Sequence, residues 1–375
     1  MTHRLIDVIV PVYRGLRQTR QCLESAIATI PADHGEVIVV NDCTPEPDLA
    51  EFIDELASRG RVTLVRNESN LGFVASVNRA MRMHPKRDVV LLNSDTEVAN
   101  DWLSRLRRAA YSSADIGTVT PFSNNATICS YPFHGWRGGV PGGLGLSRLD
   151  ALFARVNPGQ VVDIPTAVGF CMFIRRDCID VVGLFDEQAF GRGYGEENDF
   201  CRRGAAAAWR NVLAADVFVF HEGSVSFGDE RFSLMRAAEL ALIERHPDYN
   251  DLVREHLLID PARRLRHSVD VARARVGPDE ACAVLAEQDQ ERATFADALR
   301  GARSLGDGDR DSGEDAADET PIAQPVVDPS AESFRQDLMR RIDKIEEFRR
   351  TRSFGTLAFG WLARATAALY AYLLR

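Results

Sequence analysis

Asp88-Val89-Val90-Leu91-Leu92-Asn93-Ser94-Asp95-Thr96-Glu97-Val98 is the stretch on which the reading of the whole chain turns. It begins as a short, almost wholly apolar run with two valines, the pattern of a strand covered on both faces in a parallel sheet. Four small polar residues, Asn93 to Thr96, then stand where that strand emerges, at the carboxyl edge where open α/β sheets hold ligands. A carboxylate there, with an amide side chain close by in sequence, can bind a divalent cation through hard oxygen ligands, and the cation can hold a diphosphate. The same residues also suit a plain turn capping a helix that starts near Trp102. The choice between the two rests on the rest of the chain.

Outward from this strand, apolar runs alternate with amphipathic ones. Residues 5–12 read as a first buried strand ending in Pro11-Val12-Tyr13-Arg14-Gly15, and residues 36–42 as a second ending in Asn41 and Asp42. Residues 62–66 read as a third strand. Helices are predicted over 19–29, 49–59, 73–83 and 102–111, with further strands at 116–121 and 167–176. Strands alternating with helices imply right-handed crossovers and a parallel sheet. Asn70-Leu71-Gly72-Phe73 opens the third helix with Asn78 inside it; a glycine before free helical N–H groups suits phosphate or sugar oxygens, and equally an ordinary cap. Residues 133–147, which include His134-Gly135-Trp136-Arg137-Gly138-Gly139, are too glycine-rich for regular structure. They read either as a mobile loop beside the site, with Trp136 as a sugar-stacking platform, or as a surface excursion.

Composition narrows the classes. The chain has 375 residues and a formal charge of −10, which argues against a general nucleic-acid binder. Its seven cysteines are scattered and never spaced C-x-x-C, so reduced thiols in a cytosolic protein are expected. The N-terminus reads as a strand rather than as a secretion signal.

Two further stretches complete the pattern. Gly195-Glu196-Glu197-Asn198-Asp199-Phe200-Cys201 puts acidic residues at a helix start, where the macrodipole favours them, and Val217-Phe218-Val219-Phe220-His221 ends a strand in histidine. Together with Pro11 to Gly15, Asn70 to Phe73 and Leu91 to Val98, they resemble, in order and interval over about residues 5–227, the family 2 glycosyltransferases of GT-A fold. The Asn-Leu-Gly-Phe and Leu-Leu-Asn-Ser-Asp-Thr-Glu-Val stretches are most similar to the rhamnosyltransferase-like branch. The resemblance implies a Rossmann-like, mostly parallel sheet flanked by helices. It also implies an inverting transfer of sugar from a UDP- or dTDP-sugar to a saccharide or lipid-linked saccharide in bacterial cell-envelope polysaccharide synthesis.

Residue by residue, the resemblance places Pro11, Val12 and Tyr13 at the nucleobase, with Asp42 accepting from its pyrimidine ring. It puts Asn70, Gly72 and Asn78 near the ribose and diphosphate. Asp95 matches the last carboxylate of an Asp-x-Asp metal motif whose first position is Asn93 here, and His221 the histidine that completes a Mn²⁺ or Mg²⁺ site. Glu197 stands where the family has the aspartate acting as general base, one methylene longer. Asp199 matches the next aspartate, and Arg203 the basic residue one turn on.

Residues 1–230 are thus expected to form the catalytic domain and 231–305 a helical extension. Residues 306–332 are acidic and poor in large apolar side chains, a linker composition, and 333–375 read as two helices. The segment 354–374 approaches spanning length, but Arg364 near its centre costs on the order of 2.5–3.5 kcal/mol. Peripheral contact at the inner face of the cell membrane, or packing against a partner, therefore ranks above a span. Two enzyme alternatives lose support. A nucleotidyltransferase would want a basic glycine-rich loop after the first strand, and a processive synthase a Gln-x-x-Arg-Trp motif. A catalytically inactive sugar-binding scaffold stays open on sequence alone.

Overall fold

The computed structural model describes residues 4–191, 193–223 and 231–307. The first half of the sheet follows the apolar runs: β1 (Ile6–Val12), α1 (Leu16–Thr29), β2 (Gly35–Asn41), α2 (Pro47–Ser58), β3 (Thr63–Arg66), α3 (Phe73–Met81) and β4 (Asp88–Leu92). After them come β5 (Thr96–Glu97), α4 (Trp102–Ala110), β6 (Ile116–Ser123), α5 (Leu146–Val156), β7 (Val161–Asp163) and β8 (Cys171–Ile174). Next follow α6 (Arg176–Val182), α7 (Glu187–Phe190), α8 (Glu196–Ala206) and β9 (Arg210–His221). The last helices are α9 (Arg231–Arg245), α10 (Tyr249–Ile259), α11 (Arg263–Ala274) and α12 (Pro278–Asp307).

One sheet runs in the order β3-β2-β1-β4-β8-β6-β9-β5, with β7 also on β9. β1 pairs in parallel with β2 and β4, Ile6 facing both Gly35 and Asp88, so the strands end together and their polar successors share an edge. Ile6, Val8, Ile9 and Val10 are wholly buried, as are Val89 and Val90, because helices cover both faces.

The sequence pattern predicts one parallel direction; β8 departs from it, lying antiparallel between β4 and β6. Its strand is also shorter than the apolar run 167–176, since the residues before Cys171 leave the ladder and Arg176 begins α6. The reversal has a consequence for the site. It brings Gly169 and Phe170, which precede β8, to the edge where β4 ends, and the Asn93 amide donates to the Phe170 carbonyl at 2.8 Å.

A buried ion node shapes β9. Between Pro121–Ala214 and Phe122–Phe218 the β6–β9 register slips, forming a bulge around Asp216. Arg105, 2% exposed, donates to the Asp216 carbonyl and to both oxygens of buried Asp150. Asp150 in turn accepts the Phe218 amide at 2.9 Å. The node therefore sets where the last turns of β9 resume pairing.

The glycine-rich loop is tied to the helices after β9 rather than projecting freely. Tyr131 donates to Asp270 at 2.7 Å and accepts from Arg273, His134 bonds Asp260 at 2.8 Å, and the Gly143 amide donates to Glu280. Helices α10 to α12 thus clamp it from outside. Arg273, fully buried, also pairs with Glu287 through two bonds, 2.6 and 2.9 Å.

The chain divides into two units at 287/288, a point within α12. The anchoring of Glu280 and Glu287 accounts for that position. The predicted linker and terminal helices lie outside the described residues from 308 onward. Among the described residues no helix is long and apolar enough to cross a membrane. All seven cysteines are free thiols, with Cys43 and Cys282 exposed and the others buried.

Replacing Arg105 with methionine leaves Asp150 buried without its cation, which typically costs about 3–5 kcal/mol. Urea unfolding of Arg105→Met is expected to show a loss of that size; a loss under about 1 kcal/mol would contradict the role of the node.

Candidate active site

At the carboxyl edge, the end of β1 supplies Pro11, Val12 and Tyr13. Val12 is buried and its carbonyl accepts the Asp42 amide at 2.9 Å, while Pro11 and Tyr13 are partly exposed and the Arg14 guanidinium lies 5.5 Å over the Tyr13 ring. Asp42 holds the neighbouring loop. Its Oδ1 accepts from the Leu71 amide and Asn67 Nδ2, both at 2.8 Å, and its Oδ2 from the Gly72 amide at 2.9 Å. With about four acceptor positions on a carboxylate, one remains for an outside donor. Asn70 Oδ1 also accepts the Gly72 amide, 3.1 Å, and Gly72 has φ +84°, a left-handed conformation that favours glycine where the chain turns into α3.

Asn78, expected near the ribose and diphosphate, is engaged within the fold. It is fully buried, donates to the Phe185 carbonyl and Glu187 Oε1 at 2.9 and 2.8 Å, and accepts the Phe185 amide at 3.1 Å. Those bonds occupy its amide and make it a strut between α3 and α7.

The end of β4 and the end of β9 meet. β5 pairs antiparallel with β9, Thr96 opposite His221, which sets Asp95 Oδ1 3.5 Å from His221 Nε2. Asp95 Oδ2 accepts the Gly223 amide at 2.9 Å. His221 Nδ1 lies 2.7 Å from the Asn125 carbonyl, and since a carbonyl only accepts, that nitrogen carries the proton. With Nδ1 so engaged, Nε2 is the ring atom facing the carboxylate oxygen, a lone pair when the ring is neutral and a donor when it is charged. A carboxylate oxygen and a neutral imidazole nitrogen this close also form a donor set that fits a divalent cation. Burial pushes the Asp95 carboxyl up, but the imidazole and the amides around it outweigh that and hold it below the usual range. The Phe170 ring stacks on His221 at 5.2 Å. Asn93 stands at the turn, its carbonyl accepting the Thr96 hydroxyl at 2.7 Å, and its side chain takes no hydrogen bond among the described residues.

Helix α8 opens on Gly195, φ +82°, where a Cβ would stand 3.1 Å from the Phe190 ring. Glu197 lies beside the edge loop: a Cβ on Gly169 would be 3.7 Å from its carboxyl carbon, with Phe170 and His221 next in line. Burial pushes both Glu196 and Glu197 above the usual carboxylate range. Glu196 goes further because the Glu197 charge sits beside it, whereas backbone amides at the start of α8 draw Glu197 back. Oε2 of each is buried without a hydrogen-bond partner.

Asp199, the other residue expected to be catalytic, is engaged within the fold. It is 1% exposed and is bonded by Arg203 Nε at 2.7 Å, His246 Nε2 at 3.0 Å and Arg245 Nη1 at 3.5 Å. Arg203 continues to the Val182 and Leu184 carbonyls. One helical turn of charge thus fastens α8 to α9 and the loop before α7.

Sequence reasoning missed Asn124, Asn125, Phe170 and Glu196. A signal for the asparagines existed: Ser123-Asn124-Asn125 ends β6 with the same switch from apolar to small polar residues that ends β4. A second acidic cluster, Asp7, Glu36 and His84, has metal-like spacing but lies at the amino edge. The Arg87 guanidinium already fills it, 3.0 Å from Asp7 and 2.5 Å from Glu36.

A sheet of this order, with a carboxylate–imidazole pair and an acidic helix start at its carboxyl edge, is a GT-A fold. Residues 7–183 match the model of Glycosyl transferase family 2. The solved structure of GalNAc-T7 with UDP, GalNAc and Mn²⁺ superposes with a TM-score of 0.51 at 15% identity, covering 71% of this chain and 55% of that one. The uncharacterized protein y4gI of Sinorhizobium fredii is 27% identical over 266 residues, 69% of this chain and 28% of its own. Glycosyltransferase GlyA of Streptococcus pneumoniae is 28% identical over 130 residues, 34% of this chain and 18% of its own. The chain therefore spans less than a third of the length of these two curated relatives, 28% and 18%.

A carboxyl with a raised folded-state pKa costs stability as pH climbs past its unfolded value, here 4.5. Glu196→Gln is accordingly expected to melt about 2–4 °C higher than the native protein at pH 7, the change that roughly 1 kcal/mol produces in a domain of ~250 residues. The difference should close below pH 4.5. A variant less stable at pH 7 would contradict the burial of an uncompensated carboxyl at this point.

Proposed function

We propose that this protein transfers a sugar from a nucleoside-diphosphate sugar to a hydroxyl of a saccharide or lipid-linked saccharide, in one displacement that inverts the anomeric carbon. The observation that carries the reading is the approach of Asp95 Oδ1 to His221 Nε2, 3.5 Å, while His221 Nδ1 is taken by the Asn125 carbonyl. Asp95 and His221 would hold Mn²⁺ or Mg²⁺, which when bound supplies Lewis-acid neutralisation of the departing diphosphate. GalNAc-T7, similar in fold, was solved with UDP, GalNAc and Mn²⁺, a ligand set of the proposed kind.

The chain's own groups do the rest. Glu197 accepts the proton of the acceptor hydroxyl; its raised pKa makes it a stronger base than an exposed glutamate while leaving it able to ionise. Pro11 and Tyr13, with the loop that Asp42 holds at Asn70 and Gly72, form the donor side. Asn93 adds an uncharged oxygen beside Asp95. Phe170, stacked on the imidazole, excludes water from one face of it. The rhamnosyltransferase-like assignment, and peripheral membrane contact from the cytoplasmic side through residues 354–374, belong to the same proposal on sequence grounds.

Glu197→Gln should lower kcat about 10²–10⁴-fold with donor affinity retained, measured by transfer assay and by calorimetric titration of the nucleotide. A variant keeping most of its kcat would remove Glu197 from the role of base. Chelation should abolish transfer and added Mn²⁺ or Mg²⁺ restore it in the native protein but not in Asp95→Ala; transfer undiminished by chelation would rule out the part given to Asp95. Because the base must be ionised, kcat/KM should fall on the acid side, with its midpoint above the ordinary glutamate value of 4.5.

A further inference from the structure

Asn124 takes no part in the steps above, yet it touches both the strand that carries the imidazole and the glycine-rich loop. It follows β6 at the carboxyl edge and is 1% exposed. Its Oδ1 accepts the His221 amide at 2.8 Å. Its Nδ2 donates to the His221 carbonyl at 2.9 Å and to the Gly138 carbonyl at 2.7 Å. The adjacent Asn125 carbonyl takes the Nδ1 proton of the same histidine, 2.7 Å. One dipeptide thus grips the histidine at its backbone and its ring.

Each bond has a distinct consequence. The backbone pair fixes where His221 stands along β9. The ring bond fixes the tautomer, and only a proton on Nδ1 leaves the Nε2 lone pair facing Asp95. The bond to Gly138 ties the segment next to Trp136 to the same point. Since both Nδ2 hydrogens are used, asparagine at 124 is specified chemically: aspartate has nearly the same shape but would set a carboxylate against two carbonyls.

We infer that Asn124 is a positioning residue for the cation site, holding the His221 backbone in place beside the Asn125 carbonyl that sets its tautomer, and coupling the glycine-rich loop to it through Gly138. The inference rests on the reading of Asp95 and His221 as cation ligands. Outer partners of metal-bound histidines generally change metal affinity about 10–100-fold, so the coupling is measurable. Gly138 reports it from the loop side. A Cβ there would stand 2.6–2.8 Å from the Trp136 ring, so alanine forces ring and backbone apart at the carbonyl that Asn124 holds.

The test is Mn²⁺ binding to the full chain, followed by the electron paramagnetic resonance of the free ion, without donor or turnover. Native protein, His221→Ala, Asn124→Asp and Gly138→Ala are compared, with melting curves as the check on folding. His221→Ala should lose affinity most, Asn124→Asp should bind about 10–100-fold more weakly, and Gly138→Ala several-fold more weakly. If His221→Ala binds as the native protein does, the cation reading fails and the inference with it. If His221→Ala loses the ion while Asn124→Asp keeps native affinity, the inference alone is overturned. Should Asn124→Asp not fold, Gly138→Ala decides by the same criterion. A wild-type measurement stands beside these: ¹⁵N shifts of the His221 ring should show the proton on Nδ1, and a proton on Nε2 of the neutral ring would overturn the inference.

Discussion

A two-residue antiparallel pairing, Thr96 with His221 and Glu97 with Phe220, is the contact on which the candidate site depends. It joins the end of a strand near the start of the chain to the end of one more than a hundred residues later. Thr96 is wholly buried, its hydroxyl donates to the Asn93 carbonyl at 2.7 Å, and the Asp95 carbonyl accepts the Glu222 amide at 2.9 Å. A slip of one residue in this register would turn His221 to the other face of the sheet and separate it from Asp95. The register is protected from a distance, because Asp150 grips the Phe218 amide and Arg105 the bulge just before it.

Carboxylates of one chemical type fall into two uses, divided by how many internal donors reach them. Asp42 receives three N–H groups and Asp199 is reached by three nitrogens, so both hold pieces of the fold together. Asp95 receives the Gly223 amide and otherwise faces the His221 ring, while Glu197 keeps a buried oxygen with no partner. Burial without satisfaction destabilises a fold. A group left in that condition at a sheet's carboxyl edge has chemistry still available to it, and this separates Glu197 from Asp199 two residues along the same helix.

The helices after β9 belong to the same logic. His246 and Arg245, from the end of α9, reach Asp199 in the first turn of α8, and α11 and the start of α12 clamp the loop that meets Asn124. The extension therefore supports the base helix on one side and the loop next to the imidazole on the other, although it contributes none of the proposed reacting groups.

Much was legible in the sequence. The order of the first strands and helices followed from apolar periodicity, since a strand buried on both faces must be apolar throughout and a crossover helix amphipathic. The edge positions Asp42, Asn93 and Asp95 followed from the abrupt switch to small polar residues where buried strands end, and Asn70 and Gly72 from a glycine before a helix start. Sequence alone could not tell a carboxylate or amide with internal partners from one without. Only the tertiary structure shows Phe185 and Glu187 around Asn78, and Arg203 and His246 around Asp199. The antiparallel course of β8, the histidine tautomer and the clamped loop were decided there too. Each rests on contacts between residues remote along the chain, and local patterning carries no information about which distant partner arrives.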